Sequence, residues 1–377
     1  MSNSKGSVKV DNLVTVHVLK YDGKEIPVYF NKELIMDRLV EATTIIDLFK
    51  HYLSENNIEC TDINKKTFMA SEAVSSAFIE GYETYIPAEF IVKGLIPSTK
   101  DERAIVSGYN ASLLLNSLDT GVDVNSLLRV WRKLIKYKPF LRKNFRHCGV
   151  KVGNKFKTVH VAPNKKYVKD MLHSMFNTLD AMSFDWDGYN LLKSIVFHYI
   201  FTYIHPFVDG NGRCSRLFEN YYLMLSTGIP YFCQISNIIL RNKSKYYKSF
   251  NSGKVYSGDD LSCIDITEFI NVNLYFITQG YASVLEELKK GELISESIDA
   301  SLLSNREQIM MKEIMKCCTG ISVKNYKYLW NKIASENKYK KIGVEDAEKD
   351  ISHLFDLGFL TVDERYVNYP GFKYYNK

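Results

Sequence analysis

Residues 205–216 read HPFVDGNGRCSR, and this stretch decides the predicted fold. It follows the apolar run LLKSIVFHYIFTYI at 191–204 and leads into SRLFENYYLML at 215–225. The first run is hydrophobic nearly all round, which is typical of a buried helix, and Pro206 ends it. The two glycines then permit a tight loop. The pattern predicts two packed helices joined by a short connection.

This loop brings together groups that can bind an anion, bind a metal ion and accept a proton. The N-terminus of the second helix has unpaired N–H groups and the positive end of the helix dipole, both of which suit a phosphate. Arg213 and Arg216 share a helix face, so both can reach a polyphosphate. Asp209 can hold a divalent cation against the same phosphates. His205 is the side chain here that can take a proton at neutral pH.

Plainer interpretations exist for each of these residues alone. His205 could cap carbonyls at a helix end, and Gly210, Asn211 and Gly212 could form an ordinary turn. Neither interpretation explains all the parts at once. The phosphate loops GxxxxGK[ST] and GxGxxG are absent, as are the metalloprotease, zinc-finger and hydrolase-elbow patterns.

The composition limits the class of protein. The chain has 377 residues, of which 46% are hydrophobic and 24% charged, an ordinary globular balance. Eight prolines and 20 glycines favour helices over a strand-rich sandwich. Seven irregularly spaced cysteines fit a reducing compartment. The uncharged stretches 194–208 and 220–240 are too short or too polar to span a bilayer, which predicts a soluble cytoplasmic protein without membrane contact.

The pattern along the chain predicts its organisation. Residues 8–30 alternate as a strand pair, 32–293 are mostly helical, and 151–163 interrupt them as a small hairpin. The Ser-rich stretch 294–304 is the predicted linker. After it, helices followed by two strands form the winged-helix pattern. The predicted domains are residues 1–105, with a helix at about 70–81, residues 106–293, and residues 304–377.

Two charge patterns bear on partners. Residues 132–157 carry ten Lys or Arg and no acidic residue, either as a solvated face or as a rim that attracts an anion. In the last predicted helix, residues 344–357, five acidic residues stand against Lys349 alone. Such a helix would repel phosphates, so protein contact or a homodimer is favoured over nucleic acid as the role of this domain.

Residues 205–216 match HPFx(D/E)GNGRxxR at every fixed position and therefore resemble the signature of Fic-domain proteins. The similarity covers roughly residues 32–293. It implies a mainly α, helical Fic fold with a β-hairpin flap, here with a small C-terminal winged-helix domain. Two further segments resemble the family's adenine-flanking segment and its flap, which aligns a target polypeptide as an added strand; they contain Tyr246 and Tyr247, and Lys157, Thr158, Val159 and His160, respectively.

The resemblance implies transfer of AMP from ATP to a Ser, Thr or Tyr hydroxyl of a protein, including the chain itself. His205 would be the base and Asp209 the Mg²⁺ ligand. The nucleotide phosphates would contact Gly210, Asn211, Gly212, Arg213 and Arg216. Related kinases carry Lys at the position of Gly212, so glycine there favours AMP transfer over phosphorylation.

A second motif resembles the family's inhibitory helix, (S/T)xxxE(G/N). Ser76 and Glu80 lie on one helix face, and Gly81 is a natural helix end. A glutamate in the last turn opposes the helix dipole, and such local misplacement often marks function. The family pairs this glutamate with the second motif arginine, here Arg216, and so blocks the γ-phosphate site.

The sequence thus predicts an autoinhibited protein adenylyltransferase. Two alternatives remain open: a hydrolase that removes AMP with the same residues, and a winged-helix transcriptional regulator whose Fic core senses nucleotide.

Overall fold

The computed structural model of the chain describes residues 12–58, 62–84, 86–118, 121–141, 144–153, 158–183, 188–229, 233–250, 253–257, 260–297, 303–317 and 323–357. The chain forms two compact units, Met1–Ala282 and Ser283–Lys377. The fold is mainly helical, as predicted.

The first unit holds the helices that surround the predicted loop. In chain order they are α1 (Lys32–Glu55), α2 (Asp62–Ile79), α3 (Ala88–Val92), α4 (Lys100–Asn116), α5 (Val124–Leu134), α6 (Val168–Ala181), α7 (Tyr189–Ile204), α8 (Asn211–Thr227), α9 (Ile235–Arg241), α10 (Lys243–Ser249) and the first half of α11 (Thr267–Ser297), a helix that continues past Ala282 into the second unit. Helix α7 is buried on nearly every side and packs along α8, which confirms the prediction of two packed helices. Phe207 is fully buried beyond the end of α7, where its ring stacks on Trp131 with 4.0 Å between centroids.

Strands β1 (Leu13–Tyr21) and β2 (Lys24–Asn31) form the predicted N-terminal hairpin. Asp22 and Gly23 both have positive φ, at 51° and 74°, as a tight two-residue hairpin turn requires. Strands β3 (Lys151–Gly153) and β4 (Thr158–Val161) pair antiparallel and confirm the second predicted hairpin, whose turn lies outside the described residues.

A third hairpin corrects the prediction that residues 32–293 have a single interruption. Strands β5 (Lys254–Ser257) and β6 (Asp260–Asp265) pair antiparallel, and β6 joins β2 in parallel, giving the sheet order β1-β2-β6-β5. The segment carries a turn signal, Gly258-Asp259. What stabilises it as sheet is pairing with a strand far away in sequence, which no local pattern reveals.

The second unit contains α12 (Asn305–Cys317), α13 (Val323–Asn337) and α14 (Val344–Asp356) around its own apolar core. One of the five acidic residues of the last helix, Asp350, is buried and accepts from Arg306 at 2.5 and 2.6 Å and from Tyr326 at 2.9 Å. The strands predicted after α14 lie outside the described residues, so the winged helix stays a prediction. The domain limits, the linker, the homodimer and the argument against nucleic acid stay predictions as well.

Within the described part of the chain, the longest apolar helices still fall short of what a bilayer span needs.

Candidate active site

The loop between α7 and α8 is shaped by its own backbone. His205 adopts the left-handed conformation at φ 49°, and its N–H donates to the Phe201 carbonyl at 3.0 Å. The Asn211 side chain then closes the loop, because it accepts from the Phe207 N–H at 3.0 Å and donates to the Phe207 carbonyl at 2.8 Å. The Asn211 amide is therefore occupied by the loop itself, which leaves the N–H groups at the start of α8 as the donors for an anion.

Gly210 stands immediately before α8 at φ 83°, a conformation that side chains rarely adopt. A Cβ there would also lie 3.1 Å from Ile135, so the residue is fixed both by backbone and by packing. Helix α5 holds this part of the loop, since the Trp131 indole N–H donates to the Asp209 carbonyl at 2.9 Å.

His205 is oriented by a backbone carbonyl. Its Nδ1 lies 3.3 Å from the Thr202 carbonyl oxygen. A carbonyl can only accept, so Nδ1 carries the proton and Nε2 keeps the lone pair that a base needs. Burial lowers the pKa of His205 below its ordinary value, and the charge of Arg146 lowers it further, whereas the Thr202 carbonyl and Glu80 act in the opposite direction. The imidazole is neutral at neutral pH.

Asp209 is paired with a cation that the sequence did not single out. Its carboxylate accepts from Lys138 and from the Gly210 N–H at 2.6 Å, with Arg213 Nη2 4.0 Å away. Burial acts to raise the pKa of Asp209, but the Lys138 hydrogen bond and the charge of Arg213 outweigh it and hold the pKa below its ordinary value. The carboxylate is thus ionised and sits beside the start of α8.

The two motif arginines have different surroundings. Arg213 donates from Nη2 to the Tyr137 hydroxyl at 2.8 Å, and its guanidinium lies over the rings of Tyr82 and Tyr137, which also bond each other through their hydroxyls. Its Nη1 is buried and has no partner among the described residues. Because an unpaired buried donor is costly, this atom is available to a ligand oxygen.

Arg216 is 1% exposed, and its guanidinium donates hydrogen bonds to Ser76 in helix α2 and to Glu80 at the end of that helix. Its Nε donates to the Ser76 hydroxyl at 2.9 Å, and its Nη2 donates to the Ser76 carbonyl at 3.0 Å and to Glu80 Oε1 at 2.7 Å. Burial alone would lower the pKa of Arg216, but the Glu80 carboxylate outweighs it and raises the pKa. The structure therefore places Glu80 on the arginine that the resemblance names.

The end of α2 fixes the position of Glu80. Gly81 has φ 84°, with Gly81 N–H donating to the Phe78 carbonyl at 3.1 Å and Tyr82 N–H to the Ala77 carbonyl at 3.2 Å, the paired bonds of a Schellman cap. Lys243 also donates to the Phe78 carbonyl, at 2.9 Å.

The Glu80 carboxylate lies directly against Gly212, and a methyl group at position 212 would collide with it. Glycine at 212 therefore leaves the space in which the Glu80 carboxylate lies.

The buried carboxylate of Glu72, two turns before Glu80 in α2, bonds this helix to α8 and α9. Glu72 accepts from the Ser236 N–H at 2.9 Å and from the Asn220 amide at 3.1 Å. Burial raises its pKa to about 7, against the effect of these hydrogen bonds. No local pattern distinguishes Glu72, Lys138 or Tyr82, because each acts through a contact distant in the chain.

Of the predicted flap residues, His160 contacts the end of α7 just before His205. His160 Nε2 donates to the Tyr203 carbonyl at 2.7 Å, and Lys254 Nζ lies 3.4 Å from its Nδ1. Burial and then the charge of Lys254 lower the pKa of His160 to about 4. Thr158 and Val159 belong to β4, and Lys157 lies outside the described residues.

Comparisons with known proteins agree with this geometry. The Fic/DOC family profile matches residues 122–223, which include the loop and most of α8. The chain contains a Fic domain.

Two solved structures share the fold around this Fic domain. A Fic family protein from Desulfovibrio desulfuricans superposes with a TM-score of 0.56 at 17% identity, covering 91% of this chain and 96% of that one. A Fic domain containing signaling protein from Bacteroides thetaiotaomicron gives 0.52 at 13% identity, covering 66% of this chain and 96% of that one.

Curated relatives match the Fic domain over a shorter length. A probable protein adenylyltransferase of Aquifex aeolicus is 29% identical over 128 residues, which are 32% of this chain and 35% of the relative. A protein adenylyltransferase Fic of Drosophila virilis is 33% identical over 152 residues, 39% of this chain and 28% of the relative. The chain thus spans about a third of the length of these relatives.

Tyr246 and Tyr247, which lie beyond the residues that match the family profile, occupy different environments. Tyr246 is 2% exposed, and its hydroxyl lies 2.7 Å from His198 Nε2, while His198 Nδ1 lies 2.6 Å from Glu219. Tyr247 is 48% exposed, close enough to Glu80 and Arg216 to feel both charges. Tyr246 therefore belongs to a buried hydrogen-bond network, whereas Tyr247 faces the site.

Tyr246→Phe should lower the free energy of unfolding by about 1–3 kcal/mol, since it leaves a buried histidine nitrogen without its partner. Urea unfolding of the purified variant measures this, with Tyr247→Phe as the matched control that should change it by less than about 0.5 kcal/mol. Equal stabilities for the two variants would contradict a structural role for the Tyr246 hydroxyl.

Proposed function

We propose that this chain is a protein adenylyltransferase that moves AMP from ATP to a Ser, Thr or Tyr hydroxyl of a target protein and of itself. One arrangement carries the proposal: a neutral histidine with Nε2 as acceptor, an ionised aspartate and the N-terminus of α8 meet on one loop. The names of the curated relatives support the same activity.

In the proposed reaction, the first N–H groups of α8 and the Arg213 guanidinium bind phosphate oxygens of ATP. His205 Nε2 takes the proton of the target hydroxyl. The hydroxyl oxygen attacks the α-phosphorus, so a new P–O bond forms while the bond to the β-phosphate oxygen breaks and pyrophosphate leaves. The protein contributes positioning and electrostatic stabilisation, which are the main requirements of phosphoryl-type transfer.

Asp209 suits Mg²⁺ as a ligand. This ion is usually held by one or two carboxylates together with substrate phosphates. No group of three or more His, Cys, Asp or Glu side chains gathers into a metal cage within the described ranges, so phosphates and water would supply the other ligands. Lys138 now provides the positive charge beside Asp209. When bound, Mg²⁺ would neutralise charge on the α- and β-phosphates.

Asp209→Ala should weaken ATP binding in the presence of Mg²⁺ by about tenfold, the size of a lost charge-assisted contact, and should make the affinity insensitive to Mg²⁺. Calorimetric titration of ATP with and without Mg²⁺, in a Glu80→Gly background that leaves the γ-phosphate site open, measures both effects. Asp170→Ala, on an exposed position of α6, is the control. An unchanged Mg²⁺ dependence would remove Asp209 from metal binding.

We further propose that Glu80 inhibits the enzyme by holding Arg216. The same guanidinium is proposed to bind the γ-phosphate of ATP, and it cannot serve both partners at once. The carboxylate also lies against Gly212, in the path of a nucleotide on the loop.

The flap is proposed to dock the target as an added strand. Val161 in β4 is exposed, and among the described residues β3 and β4 form a sheet of two strands, so each has an outer edge that pairs with no further strand. A backbone-based contact of this kind accepts many sequences, so the site itself selects a hydroxyl and not a particular target.

The deciding experiment uses ATP labelled in either the α- or the γ-phosphate. Incubation of a cell lysate with the Glu80→Gly protein should label protein bands from α-labelled ATP and leave them unlabelled from γ-labelled ATP. Transfer of the γ-label would overturn AMP transfer in favour of phosphorylation.

Removal of AMP from a modified protein is the second candidate. Glu80 is partly exposed beside the loop, where it could position a water molecule for attack. Loss of label from pre-labelled protein upon addition of wild type, and no loss with a Glu80→Gln variant, would support it.

A further inference from the structure

One arginine of the basic stretch 132–157 is buried and has a different environment from the rest. Arg146 is 3% exposed, and among the described residues no carboxylate contributes to its electrostatic environment. Burial without an acidic partner lowers its pKa, although a guanidinium stays charged at any ordinary pH. A buried charge of this kind must be satisfied by hydrogen bonds, and its donors define what it does.

One set of these hydrogen bonds goes to carbonyl oxygens of the His205 loop. Arg146 Nε donates to the His205 carbonyl at 2.8 Å, and Nη2 lies 3.4 Å from the Ile204 carbonyl. The backbone N–H of Arg146 donates to the Pro206 carbonyl at 2.8 Å. Three consecutive carbonyls at the end of α7 are therefore bonded to one residue.

The second set goes to carbonyl oxygens at the two ends of the flap. Arg146 Nη1 donates to the Cys148 carbonyl at 3.1 Å, just before β3, and Nη2 donates to the Pro163 carbonyl, just after β4. The two ends are also closed by a bond from Ala162 N–H to the Val150 carbonyl at 3.0 Å. One guanidinium thus joins both ends of the hairpin to the backbone of His205.

This arrangement has a specific consequence for His205. A left-handed conformation is unfavourable for a residue other than glycine, so His205 needs contacts that hold it at φ 49°. The carbonyl bond from Arg146 is such a contact. The flap, through the same side chain, is fixed relative to the imidazole.

We propose that Arg146 is a positioning residue that sets the His205 imidazole and the target-docking hairpin in a fixed mutual geometry. The proposal rests on the adenylyltransferase function inferred above. Arg146 touches neither nucleotide nor target in this scheme; it acts on the base and on the strand that presents the hydroxyl.

The charged and titratable groups that face His205 link the proposed role of Arg146 to a measurable quantity, the pKa of the imidazole. They are Arg146 before β3, Glu80 at the end of α2 and His160 on β4, the last of which is neutral near pH 7. In a Glu80→Gly background, Arg146 is the remaining fixed charge of the three. Removing a nearby positive charge favours the protonated imidazole, so the pKa of His205 rises and the acid limb of the rate profile moves to higher pH.

The test compares Arg146→Gln and Arg146→Lys, each in the Glu80→Gly background, with Lys136→Gln as a control that removes an exposed charge of the same stretch. Self-labelling is followed against ATP concentration and against pH. Arg146→Gln should lower the saturating rate by about tenfold or more while the KM for ATP stays within about twofold, because the nucleotide site is left intact. Its acid limb should move up by roughly half a pH unit.

Arg146→Lys should restore the acid limb, because the charge is kept, but only part of the rate, because one ammonium cannot reach both sets of carbonyls. An Arg146→Gln rate profile that superposes on the parent profile would overturn the proposal. A slow variant with a lowered melting temperature, an unshifted acid limb and no rescue by lysine would overturn it too, as evidence of a purely structural role.

An NMR titration of the His205 imidazole in the same proteins gives a readout independent of transfer. If the Glu80→Gly parent failed to label itself, the proposed function would fail. A higher His205 pKa in Arg146→Gln than in the parent would still support the positioning role, and equal values would still exclude it.

Discussion

Glu80→Gly should turn the protein into one that labels itself with AMP about 10- to 100-fold faster than wild type. The Glu80–Arg216 contact is a charge-assisted hydrogen bond of 2.7 Å, a class worth about 1.5–3 kcal/mol. Arg216 is fully buried but Glu80 is 35% exposed, so solvent screening places the value in the lower part of that range. Removing the carboxylate also clears the space beside Gly212, and both effects favour productive ATP binding.

Two controls make the result specific. The double variant Glu80→Gly with Arg216→Ala should lose the gain, because the released arginine is the group that acts. Glu83→Gly removes an exposed glutamate three residues further on and should leave the rate at the wild-type level. Self-labelling is measured with α-labelled ATP at saturating ATP and Mg²⁺. A Glu80→Gly rate equal to wild type would show that Glu80 does not inhibit.

His205→Ala in the Glu80→Gly background should lower the transfer rate by about 10²–10⁴-fold, the usual cost of losing a general base. ATP affinity should stay near the parental value, since the imidazole acts on the target hydroxyl. Because alanine tolerates the left-handed conformation poorly, His205→Asn is the companion variant: asparagine adopts it readily and offers no comparable base.

The pH dependence follows from the lowered pKa of His205. The base acts when neutral, so activity is lost as pH falls through that pKa, and the acid limb should lie below the ordinary histidine value of about 6.5. If His205→Ala and His205→Asn both labelled themselves at nearly the parental rate at pH 7, His205 would be excluded as the base.

The candidate site could be predicted from the sequence because its parts are contiguous. The loop from His205 to Arg216 carries glycine, proline and charged residues whose local geometry is fixed by their own covalent structure. The N-terminal hairpin could be predicted for the same reason, from the alternation of apolar and polar residues and from the Asp22-Gly23 turn. Local signals of this kind survive in a single sequence.

The tertiary contacts around the loop could not be predicted from local sequence patterns. Lys138 and Arg146 belong to one run of ten basic residues, and composition cannot tell that one pairs with Asp209 while the other is buried under the flap. Glu72 and Tyr82 lie on either side of the motif from Ser76 to Gly81, yet their partners lie on α8, α9 and the segment after α5. Which charge is buried is decided by tertiary packing, so only the fold distinguishes these residues from their solvated neighbours.

The parallel pairing of β2 with β6 has a consequence for how the protein is made. The Asn31 N–H bonds the Thr267 hydroxyl across a separation of 236 residues. At ribosomal speeds of about 5–20 residues per second, the N-terminal hairpin waits roughly 10–50 s before its partner strand emerges. During that time β2 presents an open edge, the kind of surface on which nascent chains associate wrongly. The N-terminal sheet is therefore expected to complete only late in the synthesis of the first unit, and β2 to be the strand with the greatest need of chaperone cover.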